Sequence, residues 1–272
     1  MTEIPHESGL RATQQEAATP AVVFEQVTAS YAKNTVLRDL SVRLPAGQMI
    51  SITGPNGAGK TTMVRALLGL HPIDRGTIQV FGQPVDKVRG RLAYVPQTDS
   101  VDWDFPITAE EVVMMGRYPY LGAWKRIGKD DREAVADALE TVGMAEYRHR
   151  HIRQLSGGQQ QRIFIARALA QKADMMLLDE PFTGIDARTE EALFSLTGQL
   201  SGQGKTLLIV NHNLSLLDRF DFVLFLNRTT IAAGPPSVVV TQENLRRTYG
   251  GRMLHADFAA QKLREGDIDV RR

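Results

Sequence analysis

A chain of 272 residues, 43% of them hydrophobic and 23% charged, is long enough to bury a full core and has the make-up of an ordinary globular protein. Its 32 basic and 31 acidic side chains leave a formal net charge of +1, which supplies no electrostatic footprint for nucleic acid or acidic membrane, and zero cysteines exclude disulfides, thiolate metal sites and cysteine nucleophiles. No window approaches the ~18–20 consecutive apolar residues of a spanning helix, and the stretch MTEIPHESGLRATQQEAATP has neither a basic start nor an apolar centre, so a cytoplasmic protein is expected.

Residues 1–20 are polar, aperiodic and closed by Pro20, which predicts a mobile tail ahead of a domain over 21–250. From AVVFEQVTASY to VLRDLSVRLPAGQMISITG, short β-prone runs separated by turn residues predict a small N-terminal antiparallel sheet leading into one buried strand, Met49 to Thr53. Between Thr108 and Met144 the period becomes helical. Thr108 and Glu111 fit a capping box ahead of Val112 and Val113, and Val135, Ala138, Leu139 and Val142 share an apolar face that stops at Gly143. A helical insert over about 99–170 follows from this pattern. ADMMLLDEP and KTLLIVNHN are continuous apolar runs, as expected of parallel strands covered on both faces. The fold class is therefore α/β: a mostly parallel core sheet flanked by helices, an antiparallel β part at the N-terminal side and a helical insert. Residues 251–272 are charged with a weak apolar period and form a separate tail.

The run GPNGAGKTT comprises Gly54, Pro55, Asn56, Gly57, Ala58, Gly59, Lys60, Thr61 and Thr62. It matches GxxxxGK[ST], follows an apolar strand and opens a helix whose Val64, Leu67 and Leu68 face inward. In such a loop backbone N–H groups wrap a phosphate and the helix N-terminus adds partial positive charge. Lys60 reaches the β and γ phosphates, the Thr61 hydroxyl ligates Mg²⁺ and Thr62 meets the α-phosphate. MMLLDE, Met175 to Glu180, sets two carboxylates at the C-terminal edge of a buried strand, where open α/β sheets bind ligands. Phosphoryl transfer to water gives each a role: Asp179 holds Mg²⁺ through water, and Glu180 orients and deprotonates the attacking water. A Glu180 that only capped the turn before Pro181 would desolvate an acid for nothing. Taken singly, Gln97 in YVPQT, His212 in IVNHN and Asp186 in FTGID read at least as well as a solvated loop residue, a satisfied edge histidine and the N-cap of the helix ARTEEALFSLTGQL.

In combination they read differently. Gly54 to Thr62, Gln97, LSGGQ at Leu155 to Gln159, MMLLDE, GID and His212, in that order, resemble the ABC transporter ATPases over about residues 22–250. The resemblance implies a P-loop NTPase of the ABC ATPase type that binds ATP and Mg²⁺. In it Gln97 senses the γ-phosphate, the magnesium and the water while coupling to a membrane partner, His212 contacts the γ-phosphate, Tyr31 in ASYAKNTVL stacks on adenine and Asp186 joins the nucleotide site. Asn213 stands where many relatives carry aspartate, and GID where ALD is commoner; both keep the key side chain, so tuned rates with intact chemistry are expected. Ser156, Gly157, Gly158 and Gln159 open a helix that offers N–H groups, a hydroxyl and a dipole to an anion, but no lysine and no magnesium ligand. This is half a site. The resemblance implies its use in a two-fold, head-to-tail homodimer that sandwiches two ATPs. Helix capping by Ser156 leaves the glycine pair without a reason.

Three kinds of ABC protein compete: the detached ATPase of a membrane importer, a DNA-maintenance ATPase, and a soluble ribosome-associated or cluster-assembly protein. The segment between Gln97 and Leu155 carries no sustained heptads for a repair-type coiled coil, the chain has one P-loop rather than two, and no NKxD guanine motif follows it. Cluster assembly is the harder alternative to exclude. The insert DSVDWDFPITAEEVVMMGRYPYLGAWKR, Asp99 to Arg126, and LRRTYGG, Leu245 to Gly251, resemble the ATPases of manganese, zinc and iron importers. Trp103, Phe105, Tyr118, Tyr120, Leu121 and Trp124 would line a groove for a permease helix or form a small core of the insert. His149 and His151 in YRHRHIR are poorly suited to a metal, since arginines flank them. The expectation is an importer ATPase on the cytoplasmic face of the plasma membrane, with a transmembrane permease and an extracytoplasmic solute-binding protein as partners and no nucleic acid. Its cargo would be manganese first, then zinc or iron.

Overall fold

A computed structural model describes residues 20–97, 106–121 and 126–250. In chain order, β1 (Val22–Tyr31) and β2 (Asn34–Leu44) form a hairpin, and β3 (Met49–Thr53) runs into the loop before α1 (Lys60–Leu67). β4 (Arg75–Val80), β5 (Gln83–Pro84), α2 (Val85–Val88) and β6 (Leu92–Val95) follow. Four helices come next: α3 (Ala109–Met114), α4 (Tyr118–Leu121), α5 (Lys129–Thr141) and α6 (Gly157–Ala170). The chain closes with β7 (Met175–Asp179), α7 (Ala187–Gly202), β8 (Thr206–Val210), β9 (Phe222–Asn227), β10 (Thr229–Gly234), α8 (Pro236–Val239) and α9 (Gln242–Tyr249).

The core sheet has the order β10-β9-β3-β8-β7-β6, parallel from β9 to β6 with β10 antiparallel at one edge. The other sheet, β2-β1-β4-β5, is antiparallel throughout. Strand alternation explains why the core runs are apolar without a break. Met49, Met176, Leu178, Leu207 and Ile209 enter one hydrophobic core, while Ile50, Ile52, Met175, Leu177, Leu208 and Val210 enter the other. Each face needs its own cover. The antiparallel sheet and Met63, Val64 and Leu67 of α1 supply one; α3, α5, α6 and α7 supply the other. Among the described residues the helical segment has no separate core, because Val113, Val135, Leu139 and Ile163 pack into the same cluster as the strands.

The helix starts obey the capping expected of them. Thr108 N donates to Glu111 Oε2 at 2.8 Å and Thr108 Oγ1 accepts from Glu111 N at 3.3 Å. Val135, Ala138, Leu139 and Val142 are all buried, and Gly143 ends that run at φ 68°. The sequence pattern left β4, β6, β9 and β10 unassigned. β4, RGTIQV, is mostly exposed and owes its place to pairing with β1, whereas FVLFLN of β9 is as apolar as β7 and carried a readable signal. Trp103, Phe105 and Trp124 and both tails lie outside the described residues. Tyr118 is 54% and Tyr120 42% exposed; Tyr120 also bonds the Gln171 carbonyl through its hydroxyl at 2.6 Å and lies beneath the Arg117 guanidinium, so it braces the end of α6 as well. Among the described residues no helix is long and apolar enough to cross a membrane.

Among the described residues, one ion pair inside the helical layer is almost wholly buried. Arg117 Nε donates to Asp131 Oδ1 at 3.0 Å with side chains 8% and 4% exposed, and Arg117 Nη1 donates to the Ala170 carbonyl at 2.8 Å. Asp131 Oδ2 also accepts from Gly128 N at 3.0 Å, which starts α5. Asp131→Ala leaves a buried guanidinium without its counter-charge, and we expect a loss of about 3–5 kcal/mol in unfolding free energy by urea titration. A change below 1 kcal/mol (about the worth of an exposed pair) would contradict this account.

Candidate functional site

Parallel strands bring their C-terminal ends to one edge, and β3, β6, β7 and β8 all end there. Each delivers one piece of the predicted site: Gly54–Thr62 after β3, Gln97 two residues past β6, Asp179 and Glu180 at the end of β7, and His212 after β8.

The loop after β3 is held by the strand beside it. A β-carbon on Gly54 would lie 2.0 Å from the Leu226 carbonyl oxygen, so only glycine lets the chain leave β3 this close to β9. Arg228 N donates to the Ala58 carbonyl at 2.8 Å, and Arg38 N of β2 donates to the Arg228 carbonyl at 2.8 Å, which ties the loop to both sheets. Gly59 caps α1 at φ 98°, a left-handed value that a side chain would strain. From behind, the α9 residue Tyr249 makes a hydroxyl-to-hydroxyl hydrogen bond of 2.8 Å with buried Thr53.

Lys60 is 7% exposed and donates from Nζ to the Gly54 carbonyl at 2.7 Å and the Pro55 carbonyl at 3.0 Å. Burial lowers its pKa below the ordinary lysine value, against an opposing pull from Glu180 and Asp179. In front of it is a cavity of about 540 Å³, lined by Asn56 to Thr62, the start of β2, Glu180, His212 and Arg228. Thr61 is exposed and Thr62 buried. At Gly57 a β-carbon would meet nothing within 4 Å, so the cradle is open to a phosphate.

Glu180 adopts φ 49°, a conformation that costs a non-glycine residue about 1–2 kcal/mol. Its Oε1 lies 2.5 Å from His212 Nε2, and its N–H donates to the Val210 carbonyl at 3.2 Å, so the strained residue is held at both ends. Asp179 is half-buried and accepts at Oδ2 from the Tyr94 hydroxyl at 3.0 Å. Burial raises the Asp179 pKa, with the Tyr94 bond opposing; burial, then the adjacent carboxylate, pushes the Tyr94 phenol up to about 12. Sequence reasoning passed over Tyr94 and Arg228. A tyrosine within an otherwise apolar edge strand was the signal for the first; a main-chain contact has none in sequence. Thr61 and Asp179 are hard oxygen donors of the class that magnesium takes while keeping its waters, so the residues present fit a magnesium nucleotide. Among the described residues no group of three or more His, Cys, Asp or Glu could hold a metal; His149 Nδ1 lies 3.6 Å from Glu110, which also pairs with Arg148.

Not every predicted residue lines the cavity. Gln97 is half-buried on the same sheet edge, outside the lining. Tyr31, 42% exposed, packs against His71 with ring centroids 4.3 Å apart and the planes tilted by 30°. Asp186 caps α7, accepting from Arg188 N and Thr189 N at 3.0 Å each and from Thr189 Oγ1 at 2.7 Å. The Thr189 side-chain bond, then the backbone bonds, hold its pKa below the usual carboxylate value. Asn213 accepts from Ser215 N at 3.1 Å and starts the short helix after His212, a cap that aspartate would also supply.

Ser156 caps α6 in a reciprocal box: Ser156 N donates to Gln159 Oε1 at 2.9 Å, and Ser156 Oγ accepts from Gln159 N at 3.4 Å. The glycine pair divides. A β-carbon on Gly158 would lie 2.1 Å from Thr189 Cγ2, so the α7 start excludes a side chain there, while one on Gly157 would meet nothing within 4 Å. Packing against Thr189 therefore already calls for glycine at Gly158, one of the residues expected from sequence to meet a ligand. Gly157 alone keeps an open face that the fold does not require.

The profile of the ABC transporter family matches residues 37–183. The chain is 50% identical over 233 residues to the manganese transport system ATP-binding protein MntB of Bacillus subtilis, covering 85% of this chain and 93% of that one. Against the zinc transport system ATP-binding protein TroB of Treponema pallidum it is 48% identical over 239 residues, covering 88% and 90%. A solved dimeric post-hydrolysis state of an ATP-binding cassette bound to ADP and Pi superposes with a TM-score of 0.68 at 26% identity, over 79% of this chain and 98% of that one.

The division of the glycines is open to test by stability. Gly158→Ala should cost about 1–3 kcal/mol in urea unfolding, an overpacking penalty. Adding Thr189→Ser, which deletes the methyl but keeps the hydroxyl for Asp186, should restore most of it. Gly157→Ala should stay within about 0.5 kcal/mol of wild type. Equal losses at both glycines, or no rescue by Thr189→Ser, would contradict the packing argument.

Proposed function

The chain belongs to the ABC transporter family, and from that premise we propose that it is the ATP-hydrolysing subunit driving a separate membrane permease for a divalent metal ion, manganese first. The observation that carries the ATPase chemistry is the convergence of Asn56–Thr62, Glu180 and His212 on one cavity. Lys60 exchanges the Gly54 and Pro55 carbonyls for oxygens of the β and γ phosphates, and Thr62 and the loop N–H groups take the remaining acceptors. Thr61, Asp179 and Gln97 are the residues that would hold magnesium, which when bound would neutralise phosphate charge. Glu180 takes a proton from water as the water oxygen bonds the γ-phosphorus; the bond to the bridging oxygen breaks, leaving ADP and inorganic phosphate. His212 fixes the Glu180 carboxylate and meets the γ-phosphate, and Tyr31 stacks on adenine with His71 at its back.

The second half of the site comes from another copy. Ser156, Gly157 and the α6 N-terminus close on the γ-phosphate, and Asp186 lies at the same seam. Gly157 supports this reading, since its bare face serves nothing in its own fold. The cargo reading is indirect. An ATPase of this kind does not touch the transported ion, and support comes from relatives named for manganese and zinc transport together with the insert Asp99 to Arg126, part of which lies outside the described residues. The permease holds the subunit on the cytoplasmic face of the membrane, and an extracytoplasmic binding protein delivers the ion for import.

Glu180→Gln should retain ATP affinity and lose at least about 100-fold in steady-state phosphate release, because binding needs Lys60 whereas cleavage needs a base. Lys60→Ala should lose nucleotide affinity itself. Uptake of labelled manganese, zinc and iron into cells carrying Lys60→Ala tests the cargo. Loss of manganese uptake is expected; unchanged uptake of all three, with loss of an unrelated solute, would leave only the coupled ATPase.

A further inference from the structure

Tyr94 belongs to no part of the site that the sequence motifs describe, yet its hydroxyl is the side-chain donor to Asp179. The contact follows from register. β6 and β7 are parallel with Tyr94 opposite Leu177 and Val95 opposite Leu178, so Asp179 lies two residues along from Tyr94's partner, on the same face of the sheet. A residue at that diagonal is out of reach for a short side chain and within reach of a tyrosine. The ring is packed against the core that also contains α1 and the antiparallel sheet. Its main-chain carbonyl accepts from Arg167 Nη2 of α6 at 2.9 Å. The hydroxyl is thus delivered by a ring wedged in the core and a backbone pinned by the helix that Ser156 caps. An ionised carboxylate offers about four lone-pair positions, so one bond to a phenol leaves acceptor capacity for the water shell of a cation.

We propose that Tyr94 is a positioning residue for the magnesium nucleotide, its hydroxyl holding the Asp179 carboxylate in the orientation that receives the ion while Arg167 ties β6 to α6. The inference rests on the reading of Asp179 as a magnesium-side carboxylate. An unrestrained Asp179 would divide its time among rotamers, and magnesium would then have to select one of them. Partners that orient a metal's direct ligands carry roughly 10–100-fold in affinity, and Tyr94, acting on a carboxylate that meets the ion through water, is expected at the low end of that range.

The test is a double-mutant cycle on binding rather than turnover. Affinity for a fluorescent ATP analogue is measured with magnesium and with EDTA, and the ratio of the two is the readout. Tyr94→Phe keeps the ring in the core and should lower the ratio by roughly tenfold while leaving the EDTA affinity unchanged. Asp179→Asn should lower it further, and Tyr94→Phe in the Asp179→Asn background should add nothing. An unchanged ratio in Tyr94→Phe overturns the proposal, as do additive effects, which would place its action elsewhere. A lower melting temperature with the wild-type ratio also overturns it, reducing Tyr94 to packing. If Tyr94→Phe does not fold, Tyr94→Leu removes the same donor and is judged by the same ratio. A wild-type protein whose affinity ignores magnesium would instead sink the reading of Asp179, and so the two failures are distinguishable.

Discussion

Lys60 is a cation held 7% exposed with two backbone carbonyls as hydrogen-bond partners, and most of the site is arranged around the cost of keeping it there. Removing an ammonium from water costs several kcal/mol even after relaxation. Two charge-assisted bonds to carbonyls return about 1.5–3 kcal/mol each, and Glu180 and Asp179 add favourable charge across the cavity. The loop aims both carbonyls inward as it leaves β3 against β9, where Gly54 tolerates no side chain, and contacts from Arg228, Arg38 and Tyr249 brace it from outside. The burial that is expensive in the free protein is what makes a phosphate a better partner than water.

From this cation the rest of the edge follows in physical order. Two adjacent carboxylates at the end of β7 oppose the lysine but repel each other, and the fold separates their duties by giving them different neighbours. Asp179 is half-buried under the Tyr94 hydroxyl, while Glu180 is turned by a left-handed backbone toward His212 and the cavity. Thr183 N, bonded to the Glu180 carbonyl, carries that turn toward Asp186, whose helix meets Gly158 through Thr189. The α6 N-terminus is therefore connected to the end of β7 through a short run of chain, although a β-carbon on its Gly157 would meet nothing within 4 Å.

Local rules carried the reading of this sequence a long way. Continuous apolar runs gave β3, β7 and β8 because burial on both faces removes alternation, and reciprocal capping gave the start of α3 because the partners sit three residues apart, whereas the equally local box of Ser156 and Gln159 at α6 emerged only in the structure. The P-loop and the Asp179–Glu180 pair were legible for the same reason. What escaped depends on contacts between distant segments. Tyr94 meets Asp179 only because of the β6–β7 register, Gly158 is forced by a helix thirty-odd positions later, and exposed β4 gains its place by pairing with β1. Asp186 shows the opposite limit: a plain cap and a seam residue call for the same side chain, so sequence alone supports both.

We propose that each chain holds one complete phosphate cradle and one half-site meant for another copy. Sedimentation velocity of Glu180→Gln, which should bind ATP without consuming it, tests this most directly. With ATP and magnesium the account predicts a dimer, and without nucleotide a monomer; Gly157→Asp, which adds a negative charge where a phosphate should dock, should keep the protein monomeric while nucleotide affinity per chain is unchanged. A monomer at saturating ATP, or a dimer that survives Gly157→Asp, would contradict it.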